Sequence, residues 1–215
     1  MKNLNLKIDN DSILNLDSFV HASVLIPVFY DKNGAAQFIF QERAAHIRQG
    51  REVCFPGGVV DEQDKNTKAT AIRETVEELG VQPDKIRITG KLGKLFAPMT
   101  VLIETYLGII DIDDIDELDY SRDEVAKVFS IPVDLLASMK PEKYTVISRV
   151  HPTYRDENNN VVVLFPAKNL GLPERYWRSW GGREHEILLY NTDHGKIWGL
   201  TAQLVCRYLE NCYRK

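Results

Sequence analysis

The sequence predicts a mixed α/β or α+β domain in which one sheet is sandwiched between helices. Three observations lead there. Runs rich in β-branched and aromatic residues alternate with helix-period segments along the chain. Hydrophobic residues fill 44% of the 215 positions, enough for one sizeable core. No repeat, low-complexity stretch or linker divides the sequence, so residues 1–215 are read as a single domain.

The elements follow in order. Residues 23–30 and 37–41 read as strands, and Asp31-Lys32-Asn33-Gly34 between them has the composition of a hairpin turn. Residues 67–79 read as a helix, with Ala69, Ile72, Val76 and Leu79 forming one apolar stripe. Asn66 or Thr67 can cap its start, and Gly80 stands where a helix-terminating glycine belongs. Residues 86–95 and 101–110 are two further strands. The five carboxylates within 111–117 read as a solvated loop. Residues 132–139 form a short helix with proline in its first turn. Strands are expected at 145–150, 161–165 and 186–190, a turn at 156–160, and a closing helix at 196–208 that carries Trp198 as a packing residue.

Composition excludes several classes. A formal net charge of -4 argues against a dedicated nucleic-acid binder. It leaves room for a small anionic substrate, because a metal ion neutralises phosphate locally. The longest apolar runs, 24–30 and 161–165, are strand-length and far short of the ~20 residues a membrane span needs. The first twelve residues contain no apolar core of signal-peptide length, and the C-terminal residues match no lipidation or peroxisomal signal. Cys54, Cys206 and Cys212 are odd in number and form no CxxC pair, so reduced thiols in a cytoplasmic protein are expected rather than a disulfide framework or zinc site.

Residues 57–81, GGVVDEQDKNTKATAIRETVEELGV, carry the chemistry. Arg73, Glu74, Glu77 and Glu78 occupy the last two turns of the predicted helix, on adjoining positions. An ordinary solvated face explains them poorly. Glu77 and Glu78 lie in the final turn, where the helix dipole favours cations. Glu74 and Glu78 are a like-charge i,i+4 pair, costing ~0.2–0.5 kcal/mol, and Arg73–Glu77 returns a similar amount in the less favourable orientation. A divalent cation would reverse the sign of each of these terms, and carboxylate oxygens are the ligands magnesium and manganese prefer. Ahead of the helix, Phe55-Pro56-Gly57-Gly58 is either a plain turn or a place where backbone approaches metal or phosphate closely.

The stretch Gly58…Asp64…Arg73-Glu74-Thr75-Val76-Glu77-Glu78-Leu79-Gly80-Val81 resembles the Nudix box, G-x5-E-x7-R-E-U-x-E-E-x-G-U with U aliphatic. Thr75 stands at the first aliphatic site, Asp64 replaces the early glutamate, and one extra residue separates it from Arg73. The flanks resemble the coenzyme A diphosphatase branch, whose pattern is L-L-T-x-R-[SA]-x3-R-x3-G-x3-F-P-G-G. Arg43, Ala44, Arg48 and residues 55–58 fit it, while Gln41 replaces the threonine and the segment between Arg48 and Phe55 is one residue short. Residues 124–132 (Glu124-Val125…Phe129…Ile131-Pro132) and 197–202 also resemble that branch.

The resemblance implies an α+β fold, a Nudix-type α/β/α sandwich with a mixed central sheet, and a box at about 58–81. It implies a Mg2+- or Mn2+-dependent hydrolase that cuts the diphosphate of coenzyme A or acyl-coenzyme A, with ADP-ribose or NADH hydrolysis, or a non-catalytic nucleotide sensor, as alternatives. Glu74 and Glu78 would be the main metal ligands, with Glu77 ligating directly or through water and the Gly57 carbonyl as a further candidate. Arg73 would orient Glu77. Glu124 is the first candidate for general base, with Glu104 and Glu184 as rivals. Arg43 and Arg48, beside Gly58, would bind the 3′-phosphate or the pyrophosphate, since a guanidinium matches phosphate bidentately. Tyr176, Trp177 and Trp180 can stack on adenine or pack into core or lid, and His46 receives no role. A small nucleoside diphosphate is the expected partner, with no nucleic acid or membrane; a homodimer is allowed but not required by the sequence.

Overall fold

The computed structural model describes residues 15–97 and 100–213. The N-terminal stretch read above for a signal peptide and the last two residues of the C-terminal reading lie outside them.

The first strand, β1 (Val20–Tyr30), turns through Asp31–Gly34 into β2 (Ala36–Arg43). The turn closes with Gly34 N–H on the Asp31 carbonyl at 2.7 Å. The two strands pair only over Val28–Tyr30 and Ala36–Phe38, then part. Two short strands fill the wedge: β3 (Val53–Cys54) lines β2, and β4 (Gly57–Val59) lines β1. Phe55 bridges them, stacked on Phe40 with centroids 4.6 Å apart. The helix α1 (Thr67–Leu79) follows, then β5 (Ile86–Ala97), β6 (Val101–Ile110) and β7 (Val125–Pro132). The sheet order is β3-β2-β1-β6-β5, with β4 also on β1 and β7 also on β2. The β1–β6 pair is parallel and the others are antiparallel, so the sheet is mixed.

Strand alternation sends side chains to two cores. Leu25, Phe29 and Ile39 pack with Ala71 and Leu79 of α1. Ile26, Phe38 and Phe40 pack on the opposite face with Leu136 of α2 (Val133–Ser138) and Leu204 and Val205 of α3 (Gly199–Tyr208). Helices thus cover both faces of a mixed sheet, the expected α/β/α sandwich.

A second sheet stands apart from this one: β8 (Glu142–Val150), β11 (Trp180–Thr192) and β12 (Gly195–Trp198), in the order β12-β11-β8. Its base shares the α3-side core through Leu188, Tyr190 and Ile197. The short pair β9 (Thr153–Arg155) and β10 (Val161–Val163) lies between β8 and β11 in sequence. Every residue of β8 is exposed, Tyr144, Val146 and Ile147 included.

Three expectations need correction. The closing helix begins at Gly199, because residues 195–198 pair with β11 as a strand; Trp198 lies there, exposed. Residues 125–132, not expected as a strand, form β7. The buried side of α1 is Thr70, Ala71, Thr75, Glu78 and Leu79, so Ile72 and Val76 sit on the flank of the stripe rather than at its centre. The helix ends themselves are as read: the Asn66 side chain accepts from Ala69 N–H, and Gly80 adopts a left-handed φ of 67°.

Candidate active site

The wedge between β1 and β2 places residues 56–58 against α1. The Pro56 carbonyl accepts from Leu25 N–H at 3.1 Å, and Gly57 N–H donates to Glu78 Oε2 at 2.9 Å. Gly58 faces Glu74 so closely that a Cβ there would lie 2.3 Å from its Oε1. A side chain at 58 would displace that carboxylate, which is the physical reason for glycine. Thr75, at the aliphatic site of the box, is fully buried and satisfies its hydroxyl on the Ala71 carbonyl at 2.7 Å, so the departure is accommodated within the helix.

Arg73 is the hub. Its Nε and Nη2 donate to the two oxygens of Asp64 at 3.1 and 3.0 Å. Its Nη1 donates to Glu74 Oε1 at 2.8 Å and Glu77 Oε2 at 2.9 Å. It therefore holds Glu74 and Asp64 as well as the Glu77 expected of it. Asp64 ties down the loop by accepting from Asp61 N–H and the Thr70 hydroxyl, each at 2.9 Å. The Arg73 contact, seconded by Asp61 N–H, holds the Asp64 carboxyl far below its ordinary value.

Glu78 differs from its neighbours. It is 3% exposed, and burial pushes its carboxyl up to about 7 against the pull of Gly57 N–H. Its nearest cation is Arg43, whose Nη1 lies 3.8 Å from Oε1. Glu74 is also raised, first by burial, with Glu77 and Glu124 adding negative charge and Arg73 opposing. Arg43 is held by its Nε–H on the Arg48 carbonyl at 3.1 Å. Arg48 itself is exposed and meets Arg43 through its backbone. Glu124 is exposed at the end of the turn before β7, and its carbonyl accepts from Ala44 N–H at 2.8 Å.

Sequence reasoning assigned no role to two further residues here. Gln41 is fully buried, two positions before Arg43 on β2 and across from Cys54 of β3. It lies near enough to Glu78 and Cys54 to favour ionisation of both, yet neither its Oε1 nor its Nε2 makes a hydrogen bond of proper geometry. A buried amide left so costs about 1–3 kcal/mol. Burial, with Glu78 second, pushes the Cys54 thiol up to about 11. The signal that could have found Gln41 is its replacement of a threonine in the branch pattern.

Among the described residues, no three His, Cys, Asp or Glu side chains converge on one point. Arg73 accounts for this, since it engages Glu74 and Glu77 while Glu78 turns to Gly57. The donor set nonetheless fits a hard divalent cation. It consists of carboxylate oxygens, two of them raised by burial, with an unpartnered buried amide beside them.

The other candidates lie elsewhere. Glu104 is enclosed by Lys91, by Lys94 at 3.1 Å and by the Thr67 hydroxyl at 2.7 Å. Burial works to raise it, but these partners outweigh burial and hold it at about 2, a poor proton acceptor at neutral pH. Glu184 is exposed on β11, opposite Ile147. His46 is exposed. Tyr176 packs edge-on against Trp180, and Trp177 donates its Nε1–H to the Leu172 carbonyl.

The NUDIX domain model matches residues 20–150. The chain is similar to the Nudix hydrolase NudL of Photorhabdus laumondii, 27% identical over 88% of this chain and 83% of that protein. Nudix hydrolase 3 of Caenorhabditis elegans is 32% identical over 80% of this chain and 73% of that protein. A MutT/nudix family protein from Enterococcus faecalis superposes with a TM-score of 0.50 at 14% identity, covering 98% of this chain and 66% of that one, a likeness of fold.

Proposed function

This chain belongs to the Nudix family, hydrolases of nucleoside diphosphate derivatives that require divalent metal ions, and we propose that its substrate is coenzyme A or an acyl derivative. One observation carries the choice. In the stretch that resembles the coenzyme A diphosphatases, the Arg43 guanidinium is anchored by the Arg48 carbonyl and stands 3.8 Å from Glu78. A fixed cation at the edge of the carboxylate cluster suits an additional phosphate, and coenzyme A carries a 3′-phosphate that ADP-ribose lacks.

The reaction adds water across the P–O–P bridge. A new P–O bond forms at one phosphorus and the bridging bond breaks, giving 4′-phosphopantetheine, acylated or free, and adenosine 3′,5′-bisphosphate. Glu74, Glu78 and Glu77, with the Gly57 carbonyl, would hold Mg2+ or Mn2+. Bound there, the ion supplies charge neutralisation at the phosphoryl oxygens and acidifies water. Arg73 keeps Glu74, Glu77 and Asp64 in one arrangement. Glu124 takes the proton from the attacking water. Its charge is felt at Glu74, and its backbone is tied to the residue after Arg43. Arg43, with Arg48 exposed beside it, receives phosphate.

Product analysis by mass spectrometry over coenzyme A, acyl-coenzyme A, ADP-ribose and NADH identifies both substrate and bond cut. Arg43→Ala should lower kcat/KM for coenzyme A much more than for ADP-ribose. Equal losses would assign the enzyme to ADP-ribose-like substrates, and no cleavage of any compound with Mg2+ or Mn2+ would favour a sensor.

A further inference from the structure

We infer that Gln41 is a positioning residue for Glu78: its Nε2–H donates to the Glu78 carboxylate in the cation-loaded protein and fixes the direction in which that carboxylate ligates. The inference rests on the reading of Glu78 as a metal ligand.

The Gln41 amide has no ordinary reason to be where it is. Gln41 is 0% exposed on the α1-facing side of β2, in line with Ile39 and Arg43. An apolar side chain there would match Ile39 and cost nothing in hydrogen bonding. A glutamine brings two donors and an acceptor that a dry interior must satisfy. Both polar ends lack a partner in the described structure, although native proteins pair nearly all such groups.

The neighbours say what the amide awaits. Glu78 is the buried charged group on this side, and its Oε2 is already engaged by Gly57 N–H. Its Oε1 faces Arg43 only at 3.8 Å, too long for a strong hydrogen bond. Cys54, across from Gln41 in β3, is the other polar side chain it reaches, and a thiol is a weak acceptor. Gln41 can therefore bond Glu78 through Nε2. Carboxylates that ligate metals depend on such outer hydrogen bonds, and losing one typically weakens affinity about 10–100-fold.

The test uses the full chain with Gln41→Met, which keeps length and removes both polar ends, and Gln41→Leu should methionine pack badly. Mn2+ affinity is measured by electron paramagnetic resonance of the free ion, and stability by urea unfolding in EDTA. The expected result has opposite signs: Mn2+ binding weakens about tenfold or more, while the metal-free variant unfolds at the same or a higher urea concentration. A purely structural glutamine would lose stability in EDTA with no change in Mn2+ affinity, and that outcome overturns the inference. So does a dissociation constant within twofold of wild type in both variants. Glu78→Gln is the reference. If it too binds Mn2+ like wild type, the metal-ligand reading has failed; if it alone is weakened, only the role of Gln41 has.

Discussion

Replacing Glu78 by glutamine should make the metal-free protein more stable at pH 8 and no more stable at pH 5. A buried carboxyl that titrates near 7, against an ordinary 4.5, is held protonated by the fold. Between about pH 4.5 and 7, the native carboxyl keeps a proton that the unfolded chain has already released. Stability therefore falls as pH rises through that window and is level above it. The displacement corresponds to at most about 3 kcal/mol. Glutamine keeps the acceptor for Gly57 N–H without the charge, so the variant should lack this slope. Urea unfolding in EDTA at pH 5, 6, 7 and 8 gives the two curves, and their difference cancels every group common to both proteins. Adding Mn2+ at about 100 times its dissociation constant should raise wild-type stability by about 2.7 kcal/mol and leave the variant nearly unmoved, while the variant's turnover collapses. Parallel curves from pH 5 to 8 would refute the claim that burial without a matched cation governs Glu78.

Other expectations are simpler. Gly58→Ala should cost at least about tenfold in Mn2+ affinity and in kcat with little change in melting temperature. The added Cβ meets the movable end of Glu74 at 2.3 Å rather than backbone. Retained activity would remove the Glu74–Gly58 contact from the mechanism. In native protein, Cys54 should be the slowest cysteine to react with a thiol reagent at pH 8, because its thiol is pushed up to about 11, whereas Cys212 is exposed. Peptide mapping after brief labelling reads this directly, and Cys54 labelling as fast as Cys212 would contradict it.

Local signals were the legible ones. The ends of α1 were readable because a cap and a terminating glycine act within a single turn: Asn66 on Ala69, and Gly80 in a left-handed conformation. Its buried face was not, because apolar periodicity discounts Thr75 and Glu78, and these occupy the inside for reasons of chemistry. The strand β7 escaped for a similar reason. A register shift opposite Glu42 and Arg43 puts Val125 in the core and Lys127 outside although they share a parity. Residues 196–198 carry no helix-breaking composition of their own; Gly195 stands just before them, and Gly199 just beyond takes φ 60° where strand becomes helix. The box carboxylates were legible as a cluster. What sequence spacing could not show is that β1 and β2 diverge, and that the wedge brings Gln41, Arg43, Cys54 and Gly57 to the same carboxylates.

That wedge concentrates negative charge. Asp64, Glu74, Glu77 and Glu78 face two guanidiniums, Arg73 and Arg43, leaving a formal excess of two negative charges. Without an ion, the molecule relieves the excess in two ways. Arg73 gathers three of the four carboxylates, and Glu78, left with an arginine at 3.8 Å, holds a proton near neutral pH instead. One divalent cation cancels the same excess and removes the need for that proton. Cation binding should then release a proton, most near and below pH 7, and affinity should rise with pH until Glu78 is fully ionised. Calorimetric titration with Mn2+ in buffers of different ionisation enthalpy counts the released proton. A count that is unchanged between pH 6 and 8 would mean that Glu78 does not give up its proton to the ion.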